Sequence, residues 1–528
     1  MREARGRDRA LHVGVMMMMA WSRTQLGKGG RRLAGGSARR GVMTVATAVT
    51  AMVCAGLLTG AGSASVAAAA RAAAPGVRWG RAEEVPGLAA LNKGGKARVD
   101  SVSCWAVNNC AAAGSYTDRH GHSQAFVVAE RNGRWDDAVQ VPGTAALNKG
   151  GNANVVSVSC APGGYCAAGG YYKDAGGHSQ AFVVTRPEHR WRMAVEVPGL
   201  AALNTSGNVG VGSVSCPSAG NCAMGGSYSG ASGSTGFVVS QVHGVWGTAV
   251  QVPGLAALNV GGNAGVSSVS CGSAGNCAAG GFYTSGTSYA PTGNYPLQAF
   301  VVSEEKGVWG MAEEVPGTAA LNLGGAAGVD SVSCARDGYC AAGGYYIDEP
   351  YDYTDVFAAT ASNGVWGTAV GWDGGLASGP SDNIVVSCPA VGSCALDGFC
   401  DACGSESGQG QPFVVSQDNG VWGLLEALPG FFAYGQSTTL SCASAGNCGA
   451  GGVNAPNSHP FGGRNRPFVV SETNGRWANA ELYPGAQALN KGRNAGVYAV
   501  SCPSPGHCTA AGFYTDAKGH QQAFVGRP

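Results

Sequence analysis

Short alternating runs of apolar and small polar residues follow one another along the chain, separated by Gly, Pro or Asn-Gly turn signals. None of these runs is long enough to show the 3.6-residue period of an amphipathic helix, so each predicts a β-strand. Four strands recur in a fixed order. Strand A reads V-x-S-V-S-C, strand B C-A-A-G-G-x-Y, strand C Q-A-F-V-V-S and strand D W-G-x-A-x-E-V-P. The pattern therefore predicts an all-β protein built from four-stranded antiparallel units.

The four-strand unit is about 56 residues long and occurs eight times, most clearly over residues 101–156. A repeat of this length indicates a solenoid, a propeller or an array. Each copy contains one Cys-x5-Cys pair: Cys104 with Cys110, Cys160 with Cys166, Cys216 with Cys222, Cys271 with Cys277, Cys334 with Cys340, Cys388 with Cys394, Cys442 with Cys448, and Cys502 with Cys508. One tryptophan keeps the same spacing: Trp79, Trp135, Trp191, Trp246, Trp309, Trp366, Trp422 and Trp477.

The cysteines of each pair stand at the end of strand A and the start of strand B, where a five-residue loop brings them face to face. Opposed residues of antiparallel strands have a Cα separation that suits a disulfide. A zinc site needs four ligands, but each unit offers two thiols and no recurring partner. We therefore expect one disulfide per unit, worth roughly 2 kcal/mol because the loop is short. Asn-Gly between strands C and D predicts a type I′ turn.

Four-stranded sheets repeated in this way predict an eight-bladed β-propeller, whose blades pack around a central channel. The blades are numbered here from that of Cys104 to that of Cys502. Strands A and B are rich in small residues that suit the crowded axis. The exported chain begins with a lone strand D at residues 79–85 and ends with a lone A-B-C set that finishes at Val525. We expect these fragments to form the eighth blade together and to close the ring. An open solenoid is the alternative, but it would need terminal caps.

Residues 1–74 are a predicted targeting segment that is cleaved, and residues 75–528 form one propeller domain. Arg39 and Arg40 precede an apolar run at residues 42–58, which is followed by small residues that suit signal peptidase. A membrane anchor is the alternative for this run, but the small residues favour cleavage. We therefore expect a secreted product, extracellular or loosely bound to the cell wall, with no membrane association after cleavage.

The exported part is acidic. Residues 1–74 hold 11 of the 33 Lys and Arg residues and 2 of the 32 Asp and Glu residues, which leaves 22 bases against 30 acids and a net charge of −8. A nucleic-acid partner would need a basic face, so the charge argues against one. Disulfides persist in oxidising compartments, which agrees with export. We expect the protein to be a monomer.

In an up-and-down blade the loops alternate between two faces of the ring. The A–B loops with their cysteines and the C–D turns lie on one face, here named the disulfide face. The B–C loops and the D-to-A links, which read P-G-x-A-A-L-N-x-G-G, lie on the other, here named the link face. Nearly all variation in length and chemistry falls on the link face; the B–C loop of blade 7, for example, holds His459, Arg464 and Arg466. The binding site is expected there.

Three B–C loops share the pattern Y-x-D-x-x-G-H, and the same three blades alone have Lys after the Asn of the incoming link. Ring closure makes these blades 8, 1 and 2 neighbours, so the pattern predicts a polar and aromatic arc that binds a glycan or cell-wall polymer. Its residues are Lys93, Tyr116, Asp118 and His122, then Lys149, Tyr172, Asp174 and His178, and finally Lys491, Tyr514, Asp516 and His520. The alternative is that these units duplicated most recently and that their loops are simply stable turns.

Two further features break the repeat. The B–C loop of blade 5 carries four carboxylates that are candidate Ca²⁺ ligands: Asp348, Glu349, Asp352 and Asp355. Calcium prefers clustered oxygen atoms, but EF-hand spacing is missing and a solvated loop is the alternative. In blade 6, Cys400 and Cys403 predict an additional structural disulfide; a redox pair is the alternative, although no thioredoxin-like βαβ unit surrounds it. No other cofactor is expected.

One sequence motif is best seen at residues 213–226 and 268–281 and reads S-V-S-C-x-S-A-G-N-C-A-A-G-G. It occurs together with the motifs Q-A-F-V-V-S and A-E-E-V-P-G-T-A-A-L-N. Together they resemble propeller-like repeats common in secreted actinobacterial proteins of unknown function. The resemblance covers nearly the whole exported chain but implies no activity and no site residues. The chain is also distantly similar to eight-bladed quinoprotein dehydrogenases in blade count and in one Trp per blade. Their A-x-D-x-x-T-G-x-x-x-W motif is missing, so no quinone cofactor is implied.

Eight near-equal units favour multivalent recognition of a repeating partner. We therefore interpret the chain as a secreted, non-catalytic binding module for carbohydrate or cell-wall polymer. An enzyme would need a set of acid, base or nucleophile that breaks the repeat. Only blades 5 to 7 break it, and they contain no recognisable set. A secreted hydrolase or oxidoreductase and an extracellular protein-interaction scaffold are the alternatives.

Overall fold

The computed structural model describes residues 77–286, 296–348, 354–372, 383–400, 411–430, 435–455 and 465–527. Its strands form eight separate sheets, in which strands A, B, C and D follow one another. Each sheet is one blade, and the blades are numbered from that of Cys104 to that of Cys502. The structure thus confirms the all-β, eight-bladed propeller of four-stranded blades.

Strands A, B and C are long and regular. The strands A are Ala97–Ala106, Ala153–Cys160, Val209–Ser218, Ala264–Ser273, Gly328–Cys334, Val385–Ala390, Gly435–Ser444 and Ala495–Ser504. The strands B are Asn109–Thr117, Cys166–Lys173, Asn221–Gly230, Asn276–Thr284, Tyr339–Ile347, Ser393–Cys400, Asn447–Asn454 and His507–Thr515. The strands C are Ser123–Arg131, Ser179–Arg186, Gly233–Val242, Leu297–Glu305, Thr354–Ser362, Gln411–Asp418, Arg466–Thr473 and Gln521–Arg527.

Strand D is broken into two short pieces. In blades 1 and 3 to 7 they are Arg134–Trp135 with Val139–Gln140, Val245–Trp246 with Val250–Gln251, Val308–Trp309 with Glu313–Glu314, Val365–Trp366 with Val370–Trp372, Val421–Trp422 with Glu426–Ala427, and Arg476–Trp477 with Glu481–Leu482. Blade 2 has only the second piece, Val195–Glu196, and blade 8 has Arg78–Trp79 and Arg81–Glu84. Both pieces pair with strand C in blades 1 and 3 to 7.

The links contain short helices that the strand pattern did not predict. Within the described ranges, six links have one helical turn each: Leu88–Leu91, Thr144–Leu147, Leu200–Leu203, Leu255–Leu258, Thr318–Leu321 and Ala486–Leu489. Two 3-10 turns, Pro187–His189 and Arg336–Gly338, lie on the disulfide face. Four residues are too few to show a 3.6-residue period, so the pattern could not reveal these helices. No helix in the part of the chain that the structure describes is long and apolar enough to cross a membrane.

The Asn at the end of each link helix ties neighbouring blades together. Asn148 donates from Nδ2 to the carbonyl oxygen of Ser123 at 3.0 Å and to Gln124 Oε1 at 3.1 Å. Its Oδ1 accepts the backbone N–H of Asn152 at 2.8 Å. One amide side chain thus forms hydrogen bonds with the start of a strand C and with the link itself, which explains why Asn recurs at this position of the link motif.

A ring of hydrogen bonds joins the innermost strands of all eight blades. The Ser before the first Cys of each unit accepts, through Oγ, the backbone N–H of the first Cys of the next blade. Cys160 N lies 2.9 Å from Ser103 Oγ, for example, and the ring closes with Cys104 N at 3.0 Å from Ser501 Oγ. The acceptors are Ser103, Ser159, Ser215, Ser270, Ser333, Ser387, Ser441 and Ser501.

The predicted disulfides are present, one in each blade. The structure confirms the bonds of Cys104 to Cys110, Cys160 to Cys166, Cys216 to Cys222, Cys271 to Cys277, Cys334 to Cys340, Cys388 to Cys394, Cys442 to Cys448, and Cys502 to Cys508. Cys403 and the side chain of Cys400 lie outside the described residues, so the additional disulfide of blade 6 stays a prediction.

The predicted hairpin turn between strands C and D is also present. Asn132 and Gly133 have φ angles of 51° and 79°, as a type I′ turn requires. Asn363, Asn419 and Asn474, each followed by Gly, adopt positive φ angles of the same size. The Asn-Gly pairs therefore mark the C–D turns as the sequence predicts.

The hydrophobic core is divided into eight clusters that lie between neighbouring blades. The Phe of Q-A-F-V-V buries one ring in each blade: Phe126, Phe182, Phe237, Phe300, Phe357, Phe413, Phe468 and Phe524. Closer to the axis, strand A carries a β-bulge between Val99 and Ser101, and a Cβ on Gly114 of strand B would overlap the Arg98 carbonyl group there. The second Gly of C-A-A-G-G is therefore needed for close approach of strands A and B.

The two ends of the chain complete blade 8. Arg81–Glu84 pairs antiparallel with Gln521–Arg527 as its strand D, which confirms the predicted ring closure. Arg78–Trp79 takes a place that was not predicted, because it pairs in parallel with strand B. Trp79 Nε1 also donates to Ser471 Oγ of blade 7 at 2.8 Å, so this segment ties blade 8 to its neighbour.

One packed pair distinguishes the junction of blades 7 and 8. Tyr483 follows strand D where blade 1 has Val141, and its buried ring lies 5.5 Å from that of Phe524, centroid to centroid. Gly526 stands on strand C of blade 8 where blade 2 has Val184. A Cβ on Gly526 would overlap the hydroxyl group of Tyr483. The large residue and the small one therefore compensate each other in volume.

This compensation is testable by a double-mutant cycle. Gly526→Val should lower the free energy of unfolding by about 1–3 kcal/mol, because the new side chain overpacks the junction. Adding Tyr483→Val recreates the valine pair of the junction between blades 1 and 2 and should recover most of that loss. Urea unfolding of the four proteins gives the coupling energy, which we expect to exceed about 1 kcal/mol. If the losses in the free energy of unfolding of the two single variants added up in the double variant, the compensation would be contradicted.

Candidate functional site

Hydrogen bonds between B–C loops and the links on either side assemble the link face. In blade 1, Gly94 N of the incoming link donates to Thr117 O at 2.8 Å, and Thr117 N donates to Lys96 O at 2.8 Å. At the other end of the loop, Ser123 N donates to Gly151 O of the next link at 3.0 Å. The B–C loops of blades 2, 3 and 8 are also bonded to the links on both sides, so in these blades the side chains of one blade lie beside those of the next.

The aspartates of the predicted arc are turn residues. Asp118 Oδ1 accepts two backbone N–H groups of its own loop at 2.8 and 3.0 Å, and Oδ2 accepts Gln124 Nε2 at 3.0 Å. Asp174 and Asp516 make the same set of bonds. Desolvation opposes ionisation, but these hydrogen bonds outweigh it and lower the pKa of all three carboxyl groups. The carboxylates are therefore committed to holding the loops in shape.

The tyrosines of the arc are buried. Tyr172 donates to Glu196 Oε2 at 2.8 Å, and Tyr514 donates to Glu84 Oε2 at 2.9 Å. Burial and these carboxylates raise the pKa of both hydroxyl groups. Tyr116 is equally buried, and desolvation followed by the charge of Asp118 raises its pKa to about 12. None of the three rings offers a face to a ligand, so the aromatic part of the predicted arc is not displayed.

The histidines and lysines are the exposed members of the arc. The ring of His122 lies over Gly151 of the following link, where a Cβ would come within 2.7 Å of it. Lys149, two residues before that glycine, is exposed. About half of each histidine side chain is exposed: 55% for His122, 60% for His178 and 53% for His520. These side chains are accessible to a ligand, although Nδ1 of His122, His178 and His520 lies 3.8, 3.3 and 3.8 Å from the aspartate of its own loop.

The structure groups these residues by junction and not by blade. Each histidine lies against a glycine in the incoming link of the next blade, two residues beyond the exposed residue that follows the Asn of that link. These neighbours are His520 and Gly95, after Lys93, between blades 8 and 1; His122 and Gly151, after Lys149, between blades 1 and 2; and His178 and Gly207, after Thr205, between blades 2 and 3. Between blades 7 and 8, Lys491 is followed two positions later by Arg493. Four consecutive junctions thus carry exposed polar donors.

A second polar cluster lies on the inner strands and was not recognised in the sequence. Arg98 Nε and Asp100 Oδ1 of blade 1 form an ion pair at 2.6 Å, and Asn154 of blade 2 hydrogen-bonds to the carboxyl group. Tyr171 of blade 2 and Tyr498 of blade 8 lie close enough for both charges to affect their pKa values. Four other blades have Gly where blade 1 has Arg98, namely Gly210, Gly265, Gly328 and Gly496. Comparing the repeats position by position would have found this cluster.

Asp100 is the group of this cluster that titrates nearest neutrality. Burial raises its pKa to about 6, although the charge of Arg98 and hydrogen bonds from Asn154 and Arg98 lower it. Glycoside hydrolysis ordinarily uses two carboxyl groups on either side of the bond. The described neighbours of Asp100 that affect its pKa include no second carboxyl group. The cluster thus has a candidate acid without its usual partner.

Several other carboxyl groups with raised pKa values are sealed between blades. Glu130, Glu304 and Glu472 occupy one position on strand C, opposite the Trp of the C–D hairpin, and Asp397 lies on strand B of blade 6. Burial, and then the charge of Glu83, raise the pKa of Glu130 to about 7. All four side chains are nearly inaccessible to solvent. They cannot reach a ligand, so their protonation affects stability.

Two hollows formed by the described residues are large enough for a small ligand. One, of about 730 Å³, lies on the disulfide face among the A–B loops of blades 2 to 5, and small residues and Arg336 line it. The sequence did not predict it, since these loops are short and uniform. The other, of about 540 Å³, lies on the link face at the junction of blades 7 and 8, where Arg466 and Arg493 line it.

The predicted calcium site is only partly described. Asp348 and Asp355 flank residues 349–353, which contain Glu349 and Asp352 and lie outside the described residues. Asp355 is buried in strand C of blade 5. Among the residues that the structure describes, no group of three His, Cys, Asp or Glu side chains is placed to hold a metal ion. Calcium binding by this loop therefore stays a prediction.

No protein-family model matches this chain, and no curated protein matches it in sequence. Solved structures with some similarity include an ulvan lyase, a polysaccharide lyase (9% identity, 68% of this chain and 90% of the lyase, TM-score 0.37). A Trypanosoma rangeli sialidase is also similar (9% identity, 70% of this chain and 53% of the sialidase, TM-score 0.35), as is the six-bladed Aleuria aurantia lectin (10% identity, 63% and 96%, TM-score 0.30). Similarity at this level carries no argument about a site or an activity.

The buried Glu130 predicts a pH-dependent stability. Its carboxyl group ionises at the ordinary pKa of 4.5 in the unfolded chain but only near pH 7 in the folded protein, so folding becomes less favourable as the pH rises between these values. The loss is at most about 3 kcal/mol. Glu130→Gln cannot ionise, so its stability relative to the wild type should increase from pH 5 to pH 8. Urea unfolding at both pH values measures this change.

The matched control is Glu313→Gln, which alters an exposed glutamate on strand D of blade 4. Its stability relative to the wild type should not change with pH. If Glu130→Gln and Glu313→Gln behaved alike, the buried carboxyl group would not be the source of the pH dependence.

Proposed function

We propose that the protein is a secreted, non-catalytic binding module that recognises a carbohydrate or cell-wall polymer through its link face. The observation that carries this proposal is the row of exposed imidazole, ammonium and guanidinium groups at four consecutive junctions, from blades 7 and 8 to blades 2 and 3. Imidazole and ammonium groups donate hydrogen bonds to hydroxyl and carboxylate oxygens. Donors at intervals of one blade suit a ligand whose own acceptors repeat.

The geometry of the loops supports recognition of a polymer. The same aspartate-centred turn holds the histidines of blades 8, 1 and 2, so their rings are presented in the same way. Loops that are rigid before binding lose little conformational entropy when they bind. Several weak contacts on one rigid ring add to a high total affinity when the ligand reaches them simultaneously. A long glycan chain meets this condition better than a single sugar.

Secretion is part of the proposal. Eight disulfides are typical of proteins that fold in an oxidising compartment. The cleaved leader at residues 1–74 belongs to the proposal as well, since residues 1–76 lie outside the described part of the chain. In this interpretation the protein acts as a monomer outside the cell or loosely on its wall.

Retention of the oxidised protein on insoluble polysaccharides and purified cell walls tests the proposal. The wild type should be retained by at least one of these polymers. Changing His122, His178 and His520 together to Asn removes three exposed imidazole donors. The aspartates that hold the turns are left unchanged. We expect this triple variant to lose at least about tenfold in retention, because multivalent binding falls steeply when contacts are removed. Its thermal unfolding should resemble that of the wild type.

A matched control lies on the other face. His189, His243 and His507 are exposed on the disulfide face, and Asn fits the positive φ of the first two. The corresponding triple Asn variant should be retained like the wild type. Equal losses in both triple variants would place the binding site elsewhere, and no retention on any polymer would reject a glycan ligand in favour of a protein partner.

A hydrolase is the second candidate, and the observation that favours it is Asp100 in the inner cluster. An acid whose pKa is near 6 is suited to proton transfer close to neutral pH. If the protein is such an enzyme, purified protein should release product from chromogenic glycosides or esters, and Asp100→Asn should abolish the turnover. Turnover that disappears in this variant would replace the binding-only proposal, whereas an inactive wild type would leave it in place.

A further inference from the structure

The link face at the junction of blades 7 and 8 lacks a polar pair that other junctions have. In blade 2 a Tyr on strand B and a Glu on strand D, Tyr172 and Glu196, share a hydrogen bond and fill the space beside the link. Blades 4 and 8 have the same pair. Strand pairing places Asn454 and Leu482 at these positions in blade 7. Asn454 and Leu482 cannot form this Tyr–Glu hydrogen bond, so the junction lacks the pair.

An open cleft of about 540 Å³ occupies this place. Arg466, Gln487, Asn490 and Arg493 are among the residues that line it. Arg466 stands where blade 1 has Gln124, whose amide group bonds to the Asn of the next link. At this position the hydrogen bond between two amide side chains is therefore absent, and the guanidinium group of Arg466 is exposed.

Arg493 adopts a backbone conformation that the other links reserve for glycine. Its φ angle is 65°, in the left-handed region. The equivalent residues of five other links are all glycines with φ between 71° and 82°: Gly95, Gly151, Gly207, Gly262 and Gly325. A side chain in this conformation is crowded by its own backbone, so arginine is the costlier choice. Residues held in strained conformations are concentrated at functional sites.

The polar groups around the cleft are not satisfied by the protein. Among the described residues, neither Arg466 nor Arg493 takes part in a salt bridge, and both are exposed. Two guanidinium groups are therefore available to a ligand that carries an anionic group.

The surface that leads away from the cleft is basic, although the exported chain carries a net charge of −8. The B–C loops and links of blades 8, 1 and 2 expose Lys491, Lys518, Lys93, Lys96, Arg119 and Lys149. The acidic residues of the three B–C loops are the turn-holding Asp118, Asp174 and Asp516. A local row of positive charge attracts a polyanion even when the net charge of the protein is negative.

We infer that the ligand of the link face is an acidic glycan polymer and that the cleft between blades 7 and 8 binds one of its anionic groups, with Arg466 and Arg493 as anchors. The inference rests on the proposed glycan-binding function and names the class of polymer. A uronic acid carboxylate and a phosphodiester present the same chemistry to a guanidinium pair. From the cleft, the polymer follows the exposed lysines and histidines toward blade 2.

Three polymers that differ in charge test the class of ligand. The oxidised protein is passed over immobilised polygalacturonate, over fully methyl-esterified polygalacturonate, which is the same chain without charge, and over poly(glycerol phosphate) teichoic acid. We expect retention on polygalacturonate, on teichoic acid or on both, with elution as NaCl rises to about 0.5 M, where charges are strongly screened. The pattern shows whether the anionic group is a carboxylate or a phosphate. Equal retention on the esterified polymer would overturn the inference while leaving the glycan-binding proposal intact.

Two variants test the cleft. Arg493→Gly removes the guanidinium group and restores the residue of the other links, so it should raise the midpoint of thermal unfolding while lowering affinity for the acidic polymer at least tenfold. Arg466→Gln restores the residue of blade 1 and should lower affinity similarly. Arg190→Gln on the disulfide face removes one exposed charge elsewhere and should leave binding unchanged.

The outcomes separate this inference from the proposal on which it rests. A more stable Arg493→Gly variant with undiminished retention on the acidic polymer would show that the arginine is not an anchor and would overturn the assignment of the cleft. Losses of the same size in Arg190→Gln would reduce the effect to overall charge and would also overturn it. Failure of the wild type on all three polymers and on purified cell walls would instead remove the glycan-binding function itself.

Discussion

The ring depends on one small contact, the hydrogen bond from the backbone N–H of each first cysteine to the serine hydroxyl of the preceding blade. The donor belongs to a residue whose side chain is already fixed in a disulfide, so the hairpin and the junction constrain each other. Eight equal contacts around an axis require eight nearly equal inner strands. This requirement accounts for the invariance of S-C at the end of strand A and for the small residues near the axis, and it moves variation outward to the link face.

On the link face the same frame serves two purposes. Where a tyrosine, a glutamate and an amide fill the space beside a link, the junction is closed and rigid, as at Tyr172. Where these side chains are replaced, as around Arg493, the junction is open, strained and polar. The open junction gives up local stability and exposes charged groups, which is the usual exchange between stability and function in proteins.

The architecture was predictable because it is periodic. Strand order and disulfide pairing follow from features repeated eight times, the Asn-Gly turns from a pair present in four units, and the closure of blade 8 from the complementary fragments at its two ends; the structure confirms them. The features that were not predicted are either very short or depend on contacts between blades. The four-residue link helices are too short for a period, and Tyr116 cannot be known as buried without its neighbours. Histidine lies against the link of the next blade because its loop is hydrogen-bonded to that link, which a search within single repeats cannot reveal. Arg98 and Arg493 were missed because each is visible only against the glycines of the other blades.

The pairing of Arg81–Glu84 with Gln521–Arg527 in blade 8 has a consequence for how the chain folds. Each disulfide links cysteines six residues apart, so every hairpin can be oxidised as soon as it emerges, without reference to the rest of the chain. Arg81–Glu84 emerges first, yet its partner Gln521–Arg527 emerges last. Disulfide formation therefore depends only on local sequence, whereas ring closure requires that the whole domain has been synthesised. A chain cut short before its final strand would carry normal disulfides and still expose an unpaired strand edge, which is prone to pair with other chains.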